Sequence, residues 1–210
     1  MNLVVSIILF LVVSVLVFFI FFLRIKALQE SKRIIQYFEN LRDKFQLQMS
    51  FHPKEANNVL PMLKGLVQNR DTLIERTIQE KYKYFVISIF LDNKQKISLQ
   101  ITPKNHLRSK EKPDESQIIG TGITHIDKNY FVTASKKDFL ENFLKKFFLK
   151  WEQKYASVWH LFSTLVIFGD RITLVLLSTP QRIKYDLLIE QFLQDLQEMA
   201  QKIENQETLS

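Results

Sequence analysis

The sequence predicts an α+β fold, with an N-terminal transmembrane helix followed by an antiparallel sheet that helices cover on one face. Three observations predict it. An uncharged apolar run extends from Leu3 to Leu23. Short segments with alternating apolar residues are separated by turn sequences, which is typical of antiparallel strands. The amphipathic segments follow groups of strands and do not alternate with single strands, so a parallel nucleotide-binding sheet is not indicated.

The apolar run from Leu3 to Leu23 forms the first element. As a helix it is about 32 Å long, which matches the ~30 Å hydrocarbon core of a bilayer. It is longer than a signal-peptide core, and neither a preceding basic residue nor a small-x-small cleavage site accompanies it. The run has no small-x-x-x-small pattern, so we interpret it as a tether and not as a dimerisation helix.

Basic residues after the run predict its direction in the membrane. They are Arg24, Lys26, Lys32 and Arg33. The positive-inside rule then places the N-terminus outside and the C-terminal domain in the cytoplasm, at an inner (cytoplasmic) membrane crossed once. The protein is therefore expected to be integral to the membrane.

Four regions are expected: a transmembrane anchor (1–24), a juxtamembrane amphipathic helix (25–50), an α+β cytoplasmic domain (51–204) and a frayed tail (205–210). The juxtamembrane helix is expected to continue the span. Its apolar stripe consists of Leu28, Ile35, Phe38, Leu41 and Phe45. We expect the stripe to pack on the domain, because a coiled coil needs a longer and more regular heptad pattern.

Strands are predicted where apolar residues alternate along the chain. The first three are residues 63–68, 72–79 and 82–91. Residues 92–95 are predicted to form a hairpin turn that leads into a return strand, with Ile97, Leu99 and Ile101 on one side. Residues 103–117 are highly charged and are expected to form a disordered surface loop.

The second half is predicted to contain a strand at 130–133, a helix at 136–155, two strands at 161–168 and 171–177, and a final helix at 183–203. Ser135 is the expected N-cap of the first helix, with Asp138 in the capping-box position. Gly169 and Asp170 are expected to form a tight hairpin between the two strands.

Composition excludes several classes of site. The 210 residues contain no cysteine, which removes disulfides, thiolate zinc sites and cysteine nucleophiles. Only four glycines are present, and neither a phosphate-binding loop nor a catalytic or dinucleotide motif occurs. We therefore expect no metal and no cofactor, and the sequence favours a binding protein over an enzyme.

His125 and Asp127 form the only close pair of a histidine and an acid. On a strand the two side chains would share one face, so Asp127 could orient His125 as a general base. The alternative, which we favour, is a pair that stabilises a turn. Neither this histidine nor His52, His106 or His160 has a partner at metal-ligand spacing.

A basic aromatic helix is the sharpest candidate for a membrane or partner surface. Its lysines surround a Phe, Leu and Trp face and are Lys136, Lys137, Lys145, Lys146, Lys150 and Lys154. Such a helix is typical of membrane interfaces. The alternative, which we favour, is that the aromatic face covers the sheet and the lysines are its solvated side.

Two sequence stretches carry a resemblance to a known family. They are Pro61-x-Leu63-x-Gly65 and Gly120-Thr121-Gly122-Ile123-x-x-Ile126-Asp127-x-x-Tyr130-x-Val132-x-Ala134-Ser135, followed by a leucine-rich helix. Together they resemble an uncharacterised bacterial family of single-span, membrane-anchored α+β domains (a domain of unknown function). The resemblance implies a fold and a membrane location, and it implies no activity.

The expected function is a membrane-tethered cytoplasmic binding or scaffolding module whose protein partner the sequence does not identify. The net charge of +7 lies outside the span. A peripheral domain that contacts anionic lipid head groups is therefore one alternative. An enzyme acting on a membrane substrate is another, and nucleic-acid binding has no supporting motif.

Overall fold

A computed structural model describes residues 3–52, 60–79, 82–94, 96–104, 113, 117–136, 145–155, 161–177 and 185–205. The helices are α1 (Leu3–Phe45), α2 (Thr124–Asn129), α3 (Lys145–Tyr155) and α4 (Tyr185–Asn205). The strands are β1 (Gln48–Phe51), β2 (Pro61–Val67), β3 (Arg70–Gln79), β4 (Tyr82–Phe90), β5 (Leu99–Pro103), β6 (Tyr130–Ala134), β7 (Phe162–Phe168) and β8 (Arg171–Leu177).

The eight strands form one antiparallel sheet in the order β1-β2-β3-β4-β8-β7-β5-β6. The predicted α+β class and antiparallel sheet are confirmed. The predicted hairpin at residues 92–95 is wrong, because the β7–β8 hairpin lies between β4 and β5. The Asn93 side chain lies where the chain leaves β4, and its Nδ2 donates to the carbonyl oxygens of both Ile97 and Gly169. The segment after β4 is thereby tied to the β7–β8 turn.

One face of the sheet, called the inner face, carries a continuous apolar row that crosses seven strands. Cross-strand partners on it include Leu63, Ile74, Ile87, Leu174, Leu165, Ile101 and Val132, all of which are buried. Phe38 of α1 stacks on Phe85, and Trp151 of α3 lies between Phe162 of the sheet and Phe192 of α4. Helices therefore cover the inner face, as predicted.

Helix α1 is continuous through both the predicted anchor and the juxtamembrane helix, and β1 crosses the expected boundary at residue 50. The N-terminal part of α1 is long and apolar enough to cross a membrane, and its apolar side chains from Ile7 to Leu28 are exposed.

The buried stripe of α1 begins further along the helix than predicted. Ile34, Tyr37, Phe38 and Leu41 are buried, whereas Leu28 is 56% exposed and Ile35 is partly exposed. Leu28 precedes the first residues of α1 that reach the sheet, so it has no inner face to pack against.

Other predicted elements are found at nearly the expected positions. In α4 the stripe of Phe192, Leu196, Met199 and Ile203 is buried.

Ser135 accepts a hydrogen bond at Oγ from the backbone N–H of Ser98. Asp138, the N-terminal part of the predicted basic helix and most of the charged loop lie outside the described residues.

Candidate functional site

Glu30 joins α1 to the sheet just beyond the apolar run. Its Oε1 accepts hydrogen bonds from Arg76 Nη2 on β3 at 2.9 Å and from Lys83 Nζ on β4 at 2.7 Å. Glu30 lies about 10 Å along the helix from Leu23. The end of the sheet where β3 finishes and β4 begins is therefore the end nearest the apolar run.

Glu30, Arg76 and Lys83 form a cluster next to the apolar run, called the juxtamembrane cluster, and burial sets its electrostatics. The Arg76 side chain is only 3% exposed, and burial lowers the pKa of its guanidinium despite the neighbouring carboxylate. Burial alone would raise the pKa of Glu30, but the hydrogen bonds and charges of Lys83 and Arg76 outweigh it and hold that pKa below its ordinary value. Glu30 is therefore negatively charged at neutral pH and neutralises the buried arginine.

Asp127 closes a turn. Its Oδ1 accepts from the backbone N–H and the hydroxyl of Thr121, both at 2.8 Å, and its Oδ2 accepts from the N–H of Gly122 at 2.9 Å. Gly122 has φ 71°, a conformation that glycine adopts without strain. The carboxylate thus connects the turn to the helix that follows it.

His125 does not share a face with Asp127, so the predicted strand geometry is wrong at this pair. Both residues lie in α2, where positions two apart project about 200° from each other. His125 is exposed and its Nδ1 lies 3.3 Å from the side-chain nitrogen of Asn129. The geometry supports the alternative reading, in which Asp127 stabilises a turn.

The structure packs the described part of the basic helix against α4. Phe148, Trp151 and Tyr155 are fully buried. Lys150 Nζ lies 3.1 Å from Glu198, and Lys154 Nζ lies 3.0 Å from both carboxylate oxygens of Asp195. The aromatic side of α3 therefore faces the core, and two of its lysines pair with acids of the neighbouring helix.

Asp195 is 4% exposed and also accepts a hydrogen bond of 2.6 Å from the Tyr155 hydroxyl. Burial, together with this carboxylate, raises the pKa of Tyr155 far above its ordinary value. The tyrosine is therefore a neutral donor inside the core.

The other candidate lysines are distributed as follows. Lys136 is exposed after β6, and Lys145 and Lys146 begin α3. Lys137 lies outside the described residues, as do His106 and His160. The fourth histidine, His52, places Nε2 at 2.8 Å from Glu75 Oε2. In the part of the chain that the structure describes, no group of three or more His, Asp or Glu residues is arranged to hold a metal ion.

The sheet face opposite the helices, called the outer face, carries a feature that sequence reasoning missed. Cross-strand pairs join Leu66 to Asp71, Phe90 to Arg171, and Arg171 to Phe168. The pairing of Thr72 with Ile89 places the next residues of the two strands, Asp71 and Phe90, beside each other. These residues form one row across β2, β3, β4, β8 and β7, which we call the outer row: Leu66, Asp71, Phe90, Arg171 and Phe168. Leu66 is 62% and Phe168 76% exposed.

Within the outer row, the Arg171 guanidinium lies 4.5 Å from the centre of the Phe90 ring. The sequence signal for the outer row was its three apolar residues, Leu66, Phe90 and Phe168. They occupy strand positions that normally face solvent and carry polar side chains. An exposed face with this composition can bind another protein surface.

Comparison of the chain with protein-family models, with curated proteins and with solved structures finds no match.

Proposed function

We propose that this chain is a single-span membrane protein whose cytoplasmic α+β domain is a binding or scaffolding module held at the inner membrane. The observation that carries the proposal is the continuity of α1. The helix passes without interruption from an exposed apolar segment into the core of the domain. A lipid environment would bury the exposed segment, and the same helix would then hold the domain close to the bilayer.

The juxtamembrane cluster supports a fixed placement of the domain. Glu30 binds Arg76 and Lys83, so the helix is attached to the sheet within about two turns of Leu23. A module attached in this way keeps a constant face toward the membrane.

The proposed orientation follows from exposed basic residues next to the apolar segment. Arg24, Lys26, Lys32 and Arg33 are all exposed and follow Leu23. Positive residues next to a span favour the cytoplasmic side, which puts the N-terminus outside. The absence of cysteine suits a reducing compartment.

The alternatives receive less support from the described residues. Asp127 is engaged with Thr121 and Gly122, so it is not available to orient a base. Lys150 and Lys154 form ion pairs with Glu198 and Asp195 of α4, so the two lysines do not together form a surface directed at lipid. The resemblance to bacterial membrane-anchored domains stays a prediction.

A reporter fused after Ser210 tests location and direction. We expect a fluorescent protein that folds only in the cytoplasm to be active, and the fusion to stay in the membrane fraction after alkaline extraction. A phosphatase that works only after export is the matched control and should be inactive. An active phosphatase would overturn the orientation, and release by alkali would overturn the anchor.

A further inference from the structure

We propose that the outer face binds the outer face of a second copy of this chain, with a two-fold axis along the membrane normal. The inference rests on the proposed membrane anchor, because the anchor restricts which symmetry is possible. Two copies inserted in the same direction in one bilayer can be related only by an axis perpendicular to that bilayer. Such an axis keeps the heights of all residues above the membrane and reverses their left-to-right order across the interface.

The outer row is complementary to itself under that reversal. Its order across the sheet is Leu66, Asp71, Phe90, Arg171 and Phe168, with Phe90 at the centre. The reversal places Phe90 against Phe90 of the second copy and Asp71 against the second copy's Arg171. Leu66 then meets Phe168 of the second copy. The row therefore pairs apolar with apolar and acid with base at every position.

The row lies far enough from the membrane for two domains to meet there. Asp71 is five strand residues from Arg76, which contacts Glu30, so the row lies about 17 Å along β3 from the juxtamembrane cluster. Asp71 and Arg171 are both exposed. Neither charge would be left buried without a partner when the two faces meet, which avoids the main cost of burying ions.

The adjacent row of the outer face also suits close packing. On β4 and β8 it contains Ser88, which is already buried, and Thr173, which is partly exposed; their hydroxyl oxygens lie 3.0 Å apart, so these polar groups are already satisfied. Val86 and Val175 follow in the next row toward the membrane. Small or apolar side chains at the centre allow two sheets to approach to about 10 Å.

The proposed dimer does not require the two spans to contact each other, which agrees with the composition of the span. Helix α1 packs on the inner face, so in the dimer the two α1 helices lie on opposite sides of the paired sheets. The spans need not touch, and the apolar run has no small-x-x-x-small pattern for such contact. Confinement to one membrane raises the effective concentration of the domains, so a modest interface is sufficient.

Single cysteines test the position of the axis, because the chain has none of its own. The full-length Phe90→Cys variant in native membranes is treated with a short bis-maleimide crosslinker. The two Phe90 positions are about 10 Å apart in the proposed dimer, so most of the protein should become a crosslinked dimer. Gln100→Cys is the matched control: it is exposed on the same face, three strands from β4, and its two copies would be about 30 Å apart.

A charge exchange tests the proposed pairing. Asp71→Arg places two arginines against each other on both sides of the central Phe90 and should lower the crosslinked fraction of Phe90→Cys by about tenfold. Adding Arg171→Asp restores opposite charges across the interface and should recover the dimer. Retention of the dimer in Asp71→Arg alone would overturn the pairing.

Two further results would overturn the proposal. One is equal crosslinking of Phe90→Cys and Gln100→Cys, and the other is crosslinking of Phe90→Cys to a different protein only. Alkaline extraction of the same membranes reports the anchor separately. A protein that stays in the membrane but fails to crosslink contradicts the dimer alone, whereas a released protein contradicts the proposed function.

Discussion

At the scale of single residues, two carboxylates stabilise the domain by accepting two or three hydrogen bonds each. Asp127 accepts three from the turn formed by Thr121 and Gly122, and Glu30 accepts one from Arg76 and one from Lys83. Hydrogen bonds to charged acceptors are stronger than those between neutral groups. Each carboxylate connects chain segments that local structure would leave separate.

Replacing Asp127 with Ala should lower the free energy of unfolding by about 1–3 kcal/mol, because two backbone N–H groups lose their acceptor. Urea denaturation of the detergent-solubilised protein measures the change. His125→Ala is the control and should change stability by less than about 0.5 kcal/mol, because His125 is exposed. Equal losses in both variants would argue against the turn-closing role of Asp127.

The juxtamembrane cluster should make the free energy of unfolding depend on pH in the acid range. The pKa of Glu30 in the folded protein lies below its ordinary value of about 4.5. The charged form therefore stabilises the fold fully above that ordinary value. The contribution is lost as the pH falls through the folded pKa, since the unfolded chain binds the proton more readily.

Glu30→Gln isolates this contribution from the other acids with lowered pKa values among the described residues, which are Asp43, Glu198 and Glu204. At neutral pH the variant should be less stable by about 3 kcal/mol, because Arg76 stays buried without its counter-charge. The difference from the wild type should shrink as the pH falls below about 4.5. A difference that is the same at pH 7 and in acid would contradict the charged pairing.

At the scale of elements, α1 belongs to two environments. Its first part is exposed and apolar, while Phe38 belongs to an aromatic cluster. The centre of the Phe38 ring lies 5.9 Å from the centre of the Tyr37 ring and 5.7 Å from that of Phe85. The second half of α1 is therefore part of the domain core. The strands in contact with it would expose Phe85 and Leu63 without it.

Two truncations test this division of α1. Deleting residues 1–23 should leave a water-soluble domain that unfolds cooperatively, because the core-packing half of α1 remains. Deleting residues 1–47 should give an aggregating or unfolded chain, since it removes Phe38 and the other buried residues of α1. Circular dichroism and size-exclusion chromatography measure both outcomes. Cooperative unfolding of the shorter fragment would show that α1 is only a tether.

At the scale of the whole molecule, the domain has two layers, a sheet and the helices on its inner face, and the apolar part of α1 extends beyond them. Helices cover the inner face of the sheet, the outer face carries Leu66 and Phe168 exposed to solvent, and α1 extends from the covered side. A protein anchored by α1 would therefore present its outer face sideways, with the plane of the sheet perpendicular to the membrane surface. That geometry suits association between neighbours in the same bilayer.

Local pattern determined the apolar span, the positions of most strands and the apolar side of each one. An unbroken apolar run and a period of two or 3.6 residues are properties of neighbouring positions in the chain, so they can be read without contacts. The span from Leu3 to Leu23, strand β4 and the buried stripe of α4 were predictable for this reason.

Only the tertiary structure decided which strands are neighbours and how their outer positions align. Alternation identifies the apolar side of β4, but many strands with an apolar side could pair with it, and long-range burial selects β8. The helix at His125 and Asp127 likewise depends on a turn closed by side-chain hydrogen bonds. The outer row exists because register, which joins residues more than 100 positions apart, brings Leu66 and Phe168 into one line.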